Sequence, residues 1–379
     1  MWRRLVAMKK LGVQIQLISW DYGALAPDRA TAINNVVADH QYLPLDRTVI
    51  FRARHFLGLL RYPWFASIRW PKAMLPLLTQ SVKDFHPDLI FLDGWHGALF
   101  AFHLCDTLKL PLYYRSHNIE HKYIRAQHKH ATTLRSRLVT YIAGINLQSL
   151  EYQIMDKAAR VYDISMDDME FWKTHGYHHI EYLPPLFSTE FAQTTAAPTG
   201  VYDLVFLGNL HAQNNISGVT WLLEEVMPIV WRERSSTTLL IAGSNPSLQF
   251  CEYLNSFDNV KLLVNPPDAN EVLAQGVIAL NPVTTAGGVQ IKNIDMLLSG
   301  RPIITRSAGV MGLPYDVKKC FSVADVAADF ASMILYLLDN PLCPYDGGML
   351  NSYFGDEKVK SFLQDVERSL LHLKGRFML

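Results

Sequence analysis

The segment from Val277 to Thr305 constrains the fold of this chain more than any other. It opens with an apolar run, and a loop of small residues follows and ends in Gly287 and Gly288. A helical pattern comes next, with apolar positions three and four residues apart, and Gly300 lies where a helix stop belongs. A second apolar run, 303–305, closes the segment. The order predicts a strand, a glycine loop, a helix and a strand, which is the repeating unit of a parallel α/β sheet.

The charges in this predicted helix indicate an anion site. Lys292 lies in the first turn, where a cation opposes the helix dipole unless a bound phosphate lies between them. The backbone N–H groups of Gly287, Gly288 and Val289 lie at the same helix start, which attracts anions. Asp295 follows on the same face and is placed to accept hydrogen bonds from a ribose diol. A solvent-exposed Lys–Asp pair on an ordinary surface helix stays open as an alternative.

Composition limits the class of protein. The length of 379 residues suggests two domains, and 49% hydrophobic with 18% charged residues is typical of a well-packed globular chain. The formal net charge of +0 gives no global attraction to nucleic acid. The four cysteines lack metal-binding spacing, so we expect free thiols in a reducing compartment and no metal site. Without an apolar run of about 18 residues or a signal peptide, the sequence predicts a cytoplasmic protein.

Strand-like and helix-like stretches alternate along both halves of the chain, which predicts a doubly wound α/β architecture with parallel strands. We expect an N-terminal Rossmann-like domain at 1–190, a linker at 191–200 and a C-terminal Rossmann-like domain at 201–352. A C-terminal helix at 353–379 is expected to pack back on the N-terminal domain. The pattern also predicts one long helix from Leu138 to Ala159.

Several segments of the second half, in this order and spacing, resemble the nucleotide-sugar domain of retaining GT-B glycosyltransferases of family 4, glycosyl transferases group 1. They are Phe206-Leu207-Gly208-Asn209, Asn214-Asn215 with Gly218, Ile241-Ala242-Gly243, Asn281-Pro282, the run GGVQIKNIDMLLSGRPIIT, and Gly309 with Gly312-Leu313-Pro314. In the first half, residues 115–120 (RSHNIE) and 163–168 (DISMDD) resemble segments of the N-terminal domain of the same group.

The resemblance implies a GT-B fold, in which two Rossmann-like domains face a cleft. It implies a hexosyltransferase-type enzyme of polysaccharide biosynthesis that moves a sugar from a nucleoside-diphosphate sugar to a glycan or lipid-linked acceptor with retention. No metal and no cofactor beyond the nucleotide-sugar substrate are implied, and no nucleic acid partner. The alternative is a non-catalytic GT-B-like binding or partner protein. A sugar-nucleotide epimerase also stays open, whereas a hydride-transferring enzyme is disfavoured because no GxGxxG follows a predicted strand.

The resemblance also assigns residues to the donor site. Lys292 and the N–H groups of the glycine loop would stabilise the leaving diphosphate, and Asp295 would bind the ribose. The predicted donor-binding set is Gly208, Asn209, Gly243, Gly287, Gly288, Val289, Lys292 and Asp295.

Three residues of the first half are candidates for the other side of the reaction. His117 follows a predicted strand end and would contact the donor sugar or phosphate, or else would cap the next helix. Glu120 is either a general base for the acceptor hydroxyl or a first-turn dipole partner. Arg115 either reaches a phosphate or pairs with Glu120. The predicted catalytic residues are therefore His117, Glu120 and Lys292.

Two departures from the family pattern favour the non-catalytic alternative. Gly287 stands where the family has the first of two spaced acidic residues, so one donor-sugar contact is missing. In addition, Met1 to Leu5 looks like the helix that follows the family's first strand, so that strand is expected to be absent and to leave strand edges open.

The basic and aromatic run from Arg61 to Lys72, RYPWFASIRWPK, has two interpretations. Its aromatic and basic side chains fit a peripheral contact with the inner membrane face or with a lipid-linked acceptor. Alternatively, the run is an internal loop with packed aromatics.

Overall fold

The computed structural model describes residues 2–45, 61–131, 133–186, 200–284, 289–340 and 347–376. Its chain forms two compact units. Unit 1 consists of Met1–Pro184 and Lys358–Leu379, and unit 2 consists of Pro185–Glu357. Both units are α/β with parallel strands, which confirms the predicted fold class. Of the expected linker at 191–200, only Gly200 lies within the described residues.

Unit 1 begins with a helix and then alternates strands and helices. Its elements are α1 (Trp2–Lys10), β1 (Gln16–Tyr22), α2 (Pro27–Asn34), β2 (Asp39–Leu45), α3 (Trp64–Ser67), α4 (Leu75–Phe85), β3 (Ile90–Asp93), α5 (Ala98–Leu108), β4 (Leu112–Ser116), α6 (Glu120–His130), α7 (Leu134–Gly144), α8 (Leu147–Lys157), β5 (Ala158–Asp163), α9 (Met166–Thr174) and β6 (Ile180–Tyr182).

The strands of unit 1 form two separate parallel sheets. β1 pairs with β2, and β3, β4, β5 and β6 form a four-stranded sheet in that order. Ile18 from β1 and Ile90 from β3 pack against the same buried cluster, which includes Leu78 of α4 and Phe100 of α5. Within the described residues, no ladder joins β1 to β3.

The predicted helix from Leu138 to Ala159 is wrong. The structure has two helices here, α7 and α8, and Ala158 and Ala159 already belong to β5. The helices are separated at Asn146, whose φ of 59° is left-handed and ends helical propagation. Apolar residues continue with helical spacing across this break, so the periodicity alone could not reveal it.

Unit 2 is a single six-stranded α/β layer. Its elements are β7 (Tyr202–Asn209), α10 (Gln213–Trp221), α11 (Met227–Glu233), β8 (Leu239–Ser244), α12 (Leu248–Asn255), β9 (Val260–Val264), α13 (Ala269–Ala274), β10 (Gly276–Asn281), α14 (Ile291–Leu298), β11 (Ile303–Thr305), α15 (Tyr315–Lys318), β12 (Ser322–Val323), α16 (Ala327–Asp339) and α17 (Gly347–Phe354).

The strand order of unit 2 determines where a ligand can bind. The order is β12-β11-β10-β7-β8-β9, so the chain runs outward from β7 in one direction and then returns to its other side at β10. In a parallel sheet, such a switch point opens a crevice outside the carboxyl ends of the two strands. Here those ends are Asn209 and Asn281. The helix α14, which was predicted from its periodicity, begins beside this crevice.

The last helix, α18 (Asp356–Arg376), lies against unit 1. The ring of Phe362 meets that of Tyr162 edge to face at 4.8 Å between centroids. Asp365 accepts hydrogen bonds from Arg160 and from the Tyr162 hydroxyl. None of the helices in the described part of the chain is both long and apolar enough to cross a bilayer.

Candidate functional site

Lys292 lies at the switch point of unit 2. It occupies the second position of α14, and its Nζ donates to Oδ1 of Asn215 at 2.9 Å. Asn215, on α10, in turn donates from Nδ2 to the carbonyl of Asn209 at 2.9 Å. The ammonium also lies 4.8 Å from the centre of the Phe206 ring. The Lys292 side chain therefore connects the start of α14 with the start of α10 and, through Phe206 and Asn215, with β7.

The environment of Lys292 is unfavourable for its own charge. The side chain of Lys292 is half-buried, so part of it still contacts solvent. Its close neighbours nevertheless desolvate the ammonium and lower the pKa of Lys292 to about 7. The first turn of α14 contains no acidic residue. An anion bound at the helix N-terminus would relieve both the desolvation and the unfavourable dipole interaction.

Three glycines of unit 2 permit close backbone approaches around the crevice. A Cβ on Gly243 would lie 1.9 Å from the carbonyl oxygen of Gly208, and a Cβ on Gly208 would lie 2.9 Å from the Phe206 ring. A Cβ on Gly218 would lie 2.9 Å from the carbonyl oxygen of Pro282. Side chains at these positions would therefore push apart the strand ends and α10.

The remaining predicted donor-site residues have different outcomes. Gly287 and Gly288 lie outside the described residues. Val289 is buried in the core of unit 2, and Asp295 lies half-buried on α14 one turn after Lys292. Asn209 is exposed, and its Oδ1 accepts the N–H of His211 at 2.9 Å. The structure brings Gly208, Asn209, Gly243 and Lys292 to the same edge of the sheet, and their roles stay predictions.

A buried amide network behind this edge was not foreseen from the sequence. Nδ2 of Asn281, at the end of β10, donates to Oδ1 of Asn293 at 2.8 Å and to Oε1 of Gln290 at 2.9 Å. Asn293 donates to the carbonyl of Gly309. The network fixes the start of α14 relative to β10, which positions Lys292. Asn293 follows Lys292 directly, but its burial depends on contacts distant in sequence.

In unit 1, His117 belongs to a charged cluster at the carboxyl end of the sheet. Its Nε2 lies 2.9 Å from Oδ1 of Asp93 and 3.0 Å from Nη1 of Arg115. Arg4, in α1, donates to Oδ2 of Asp93 at 2.5 Å. Burial alone would raise the pKa of Asp93, but its hydrogen bond with His117 and the charges of Arg4 and Arg115 hold it well below the usual range.

The cluster gives Arg115 a partner that the sequence did not indicate. Arg115 pairs with Asp93 at 3.4 Å, which was neither of the two predicted partners. Because a guanidinium can only donate, Nε2 of His117 accepts from Arg115 when it carries no proton and donates to Asp93 when it does. His117 remains 39% exposed, so it can also contact a ligand.

Glu120 does not serve as the main cap of α6. The buried carboxylate of Glu151, in α8, accepts the backbone N–H groups of Glu120 at 2.7 Å and of His121 at 2.8 Å. The side chain of Glu120 receives a long hydrogen bond from Asn118. Burial raises the pKa of Glu120 to about 7 despite that hydrogen bond, a value suited to a general base near neutral pH.

Ser165 caps the start of α9. Its Oγ accepts the N–H of Asp168 at 3.1 Å, and Asp167 and Asp168 lie in the first turn of α9. Burial, together with the nearby charge of Asp168, raises the pKa of Asp163 to about 8. No group of three or more His, Cys, Asp or Glu residues with metal-binding geometry occurs among the described residues.

The aromatic run at Arg61 to Lys72 supports the packed interpretation. Phe65 meets the rings of Trp95 and His96 edge to face, and Trp70 meets the ring of His103 in the same way. These aromatic side chains are half-buried rather than projecting.

Comparison with known proteins identifies the family of unit 2. Residues 202–340 match the family model described as glycosyl transferases group 1. The chain carries a glycosyl transferases group 1 domain. A curated relative, an uncharacterized 44.6 kDa protein in the cps region of Klebsiella pneumoniae, is 27% identical over 140 residues. That alignment covers 35% of this chain and 36% of the relative, so it spans about a third of either protein.

Solved structures support the fold over nearly the whole chain. Anabaena Alr3699/HepE, solved in complex with UDP and glucose, has a TM-score of 0.63 at 11% identity and covers 96% of this chain and 94% of its own. A glycosyltransferase from Rickettsia africae has a TM-score of 0.62 at 9% identity, with 97% and 94% covered. The predicted group 1 domain and the GT-B fold are therefore confirmed, and glycosyltransferase is the enzyme class that the matched model describes, whereas the finer assignment to family 4 stays a prediction.

Proposed function

We propose that this protein transfers a sugar from a nucleoside-diphosphate sugar to a glycan or lipid-linked acceptor, with retention and without a bound metal ion. The observation that carries the proposal is Lys292, a desolvated cation at the start of α14 in the group 1 domain. Two or three charge-assisted hydrogen bonds at about 1.5–3 kcal/mol each would bind a diphosphate at millimolar to sub-micromolar affinity.

The donor is held by unit 2 in this proposal. Lys292 binds the diphosphate, and the N-terminus of α14 faces the negative charge of the same group. Asp295 accepts hydrogen bonds from the ribose hydroxyls. The same groups stabilise negative charge that develops on the departing diphosphate, which replaces the work of a metal ion. Because the Anabaena relative was solved with UDP, a UDP-sugar is the first donor to examine.

Unit 1 supplies the groups for the acceptor. Glu120 accepts the proton of the attacking hydroxyl, since its raised pKa keeps it basic near neutral pH. His117, held by Asp93 and Arg115, donates to the sugar or to a phosphate. The Klebsiella relative lies in a cps region, which agrees with a polysaccharide acceptor.

The decisive experiment separates binding from turnover. The protein is screened for thermal shift against UDP, GDP, ADP and their sugars, and then incubated with each bound nucleotide sugar and an acceptor mixture. Release of nucleoside diphosphate and a product whose anomeric configuration matches the donor by NMR are expected. Nucleotide binding without any transfer would favour the non-catalytic alternative, which Gly287 in the position of a family acidic residue also favours. No binding of any nucleotide would contradict both.

A further inference from the structure

The α6–α7 hairpin, residues 120–144, presents an exposed apolar face. Leu134, Leu138, Val139 and Tyr141 have exposed fractions of 86%, 60%, 54% and 63%. Leu134, Leu138 and Tyr141 are spaced four and three residues apart, so they lie along one side of α7. No other helix in the described part of the chain exposes more than one large apolar side chain.

The same hairpin is basic. Residues 121–144 contain no Asp or Glu, and the exposed basic side chains are Lys122, Arg125, Lys129, Arg135 and Arg137. Lys122 lies over the ring of Phe171, and Arg125 donates to the amide oxygen of Gln148, so neither contact neutralises a charge. The first 190 residues hold 22 Lys and Arg against 17 Asp and Glu, and residues 121–144, with five basic and no acidic side chains, account for that excess.

The hairpin is an ordered surface rather than a loose loop. Thr133 and Ser136 form a reciprocal capping box at the start of α7. Nδ1 of His128, in α6, lies 3.0 Å from Oγ1 of Thr140 and 3.2 Å from the carbonyl of Arg137. These contacts hold the two helices together and fix the apolar side chains outward.

We propose that the α6–α7 hairpin docks this protein on an anionic lipid surface. Amphipathic helices with basic and apolar residues bind the interface by combining apolar insertion with attraction to anionic head groups. A second copy of this chain is disfavoured as occupant, because a self-complementary contact through this face would bring two like-charged surfaces together.

The location of the hairpin connects this surface to the proposed reaction. Helix α6 begins at Glu120, three residues after His117, so the hairpin and both candidate acceptor-side residues emerge from the carboxyl end of β4. Docking would hold these residues near the lipid surface, which favours a lipid-linked acceptor. This second step rests on the proposed function, whereas the docking step does not.

The test measures co-sedimentation of the full chain with vesicles of phosphatidylcholine alone or of phosphatidylcholine with an equal share of phosphatidylglycerol. We expect binding to the anionic vesicles only, weakened by salt. Arg135→Glu with Arg137→Glu should lower the bound partition about tenfold or more. Leu138→Ser with Tyr141→Ser should leave a weaker binding that salt abolishes. The matched controls, Arg232→Glu with Lys261→Glu and Leu248→Ser, change exposed residues of unit 2 and should bind as the parent does.

Equal binding by parent, hairpin variants and controls would overturn the proposal, as would no binding or equal binding to neutral vesicles. Self-association that the Leu138 and Tyr141 substitutions abolish, without vesicle binding, would assign the surface to a second copy instead. A thermal shift with nucleoside diphosphate is recorded for each variant. It reports on folding and on the donor site of unit 2, so failure of the proposed function and failure of membrane docking give different results.

Discussion

At the scale of single residues, Lys292 illustrates that a residue placed to bind an anion can be energetically unfavourable for the protein when no anion is bound. Its ammonium contacts an amide oxygen and an aromatic face, and its pKa is lowered because those neighbours replace water incompletely. A cation in the first helical turn adds an unfavourable dipole interaction. Attraction to a bound anion would offset both costs, and it acts more strongly on a desolvated ammonium than on an exposed one.

Replacing Lys292 should therefore weaken nucleotide binding strongly. Lys292→Ala removes one charge-assisted hydrogen bond to the diphosphate and is expected to weaken binding about 10- to 100-fold. Isothermal titration calorimetry with the nucleotide that binds the parent measures the effect. Lys261→Ala, which removes an exposed lysine on β9 of the same unit, is the control. Unchanged affinity in Lys292→Ala would exclude this residue from the site.

The lowered pKa of Lys292 also predicts proton uptake on binding. Above pH 7 the free protein carries mostly neutral Lys292, because its pKa is about 7, and a bound diphosphate should raise that pKa. At pH 8, binding should take up close to one proton, and affinity should fall as pH rises. Titrations in Hepes and in Tris, which differ in ionisation enthalpy, should give different heats for the parent and equal heats for Lys292→Met. Equal heats in the parent would contradict the linkage.

Local sequence spacing located Lys292 but could not locate its partners. The position of Lys292 in a helix follows from the spacing of apolar residues and from the glycine that ends the helix. Both signals span only a few residues of sequence. Asn215 is 77 positions from Lys292, and Asp93 is 24 positions from His117. Such contacts depend on how strands are ordered in the sheet, so the charged cluster around His117 became visible only in the structure.

At the scale of elements, α6 begins with a cap supplied by another helix. Its N-cap residue, Ile119, has no side chain that can cap, and Glu151 of α8 accepts two N–H groups and lies 2.6 Å from Nδ1 of His121. The sequence leaves Glu120 open as a general base or a first-turn dipole partner, and it gives no sign of Glu151, which lies 31 residues away along the chain. A capping residue from a distant element leaves no local signal.

Loss of this cap should destabilise unit 1. Glu151→Ala would leave two backbone N–H groups and a buried imidazole without their acceptor, which should lower the free energy of unfolding by about 2–4 kcal/mol. Urea denaturation followed by circular dichroism measures the change. Glu170→Ala removes an exposed glutamate from α9 and should have little effect. If both variants unfold at the same urea concentration, Glu151 does not hold α6.

At the scale of the whole molecule, each unit has its own core, and the last helix belongs to the first unit. Phe362 is 4% exposed and packs against Tyr162 and Phe91 of unit 1, although the intervening chain builds unit 2. The sequence predicts a C-terminal helix that packs back on the N-terminal domain. Matched side chains, such as Arg160 with Asp365, show which part of unit 1 the helix covers.

This arrangement predicts that two perturbations act on different unfolding transitions. Phe362→Ala should lower the stability of unit 1 by about 3–5 kcal/mol, because it leaves a cavity among aromatic rings. A bound nucleoside diphosphate should raise only the transition of unit 2. Differential scanning calorimetry resolves the two effects, with Leu371→Ala, 71% exposed on the same helix, as the control. A single transition shifted by both the ligand and Phe362→Ala would show instead that the two units unfold as one, and α18 would then stabilise the donor site as well as the sheet it covers.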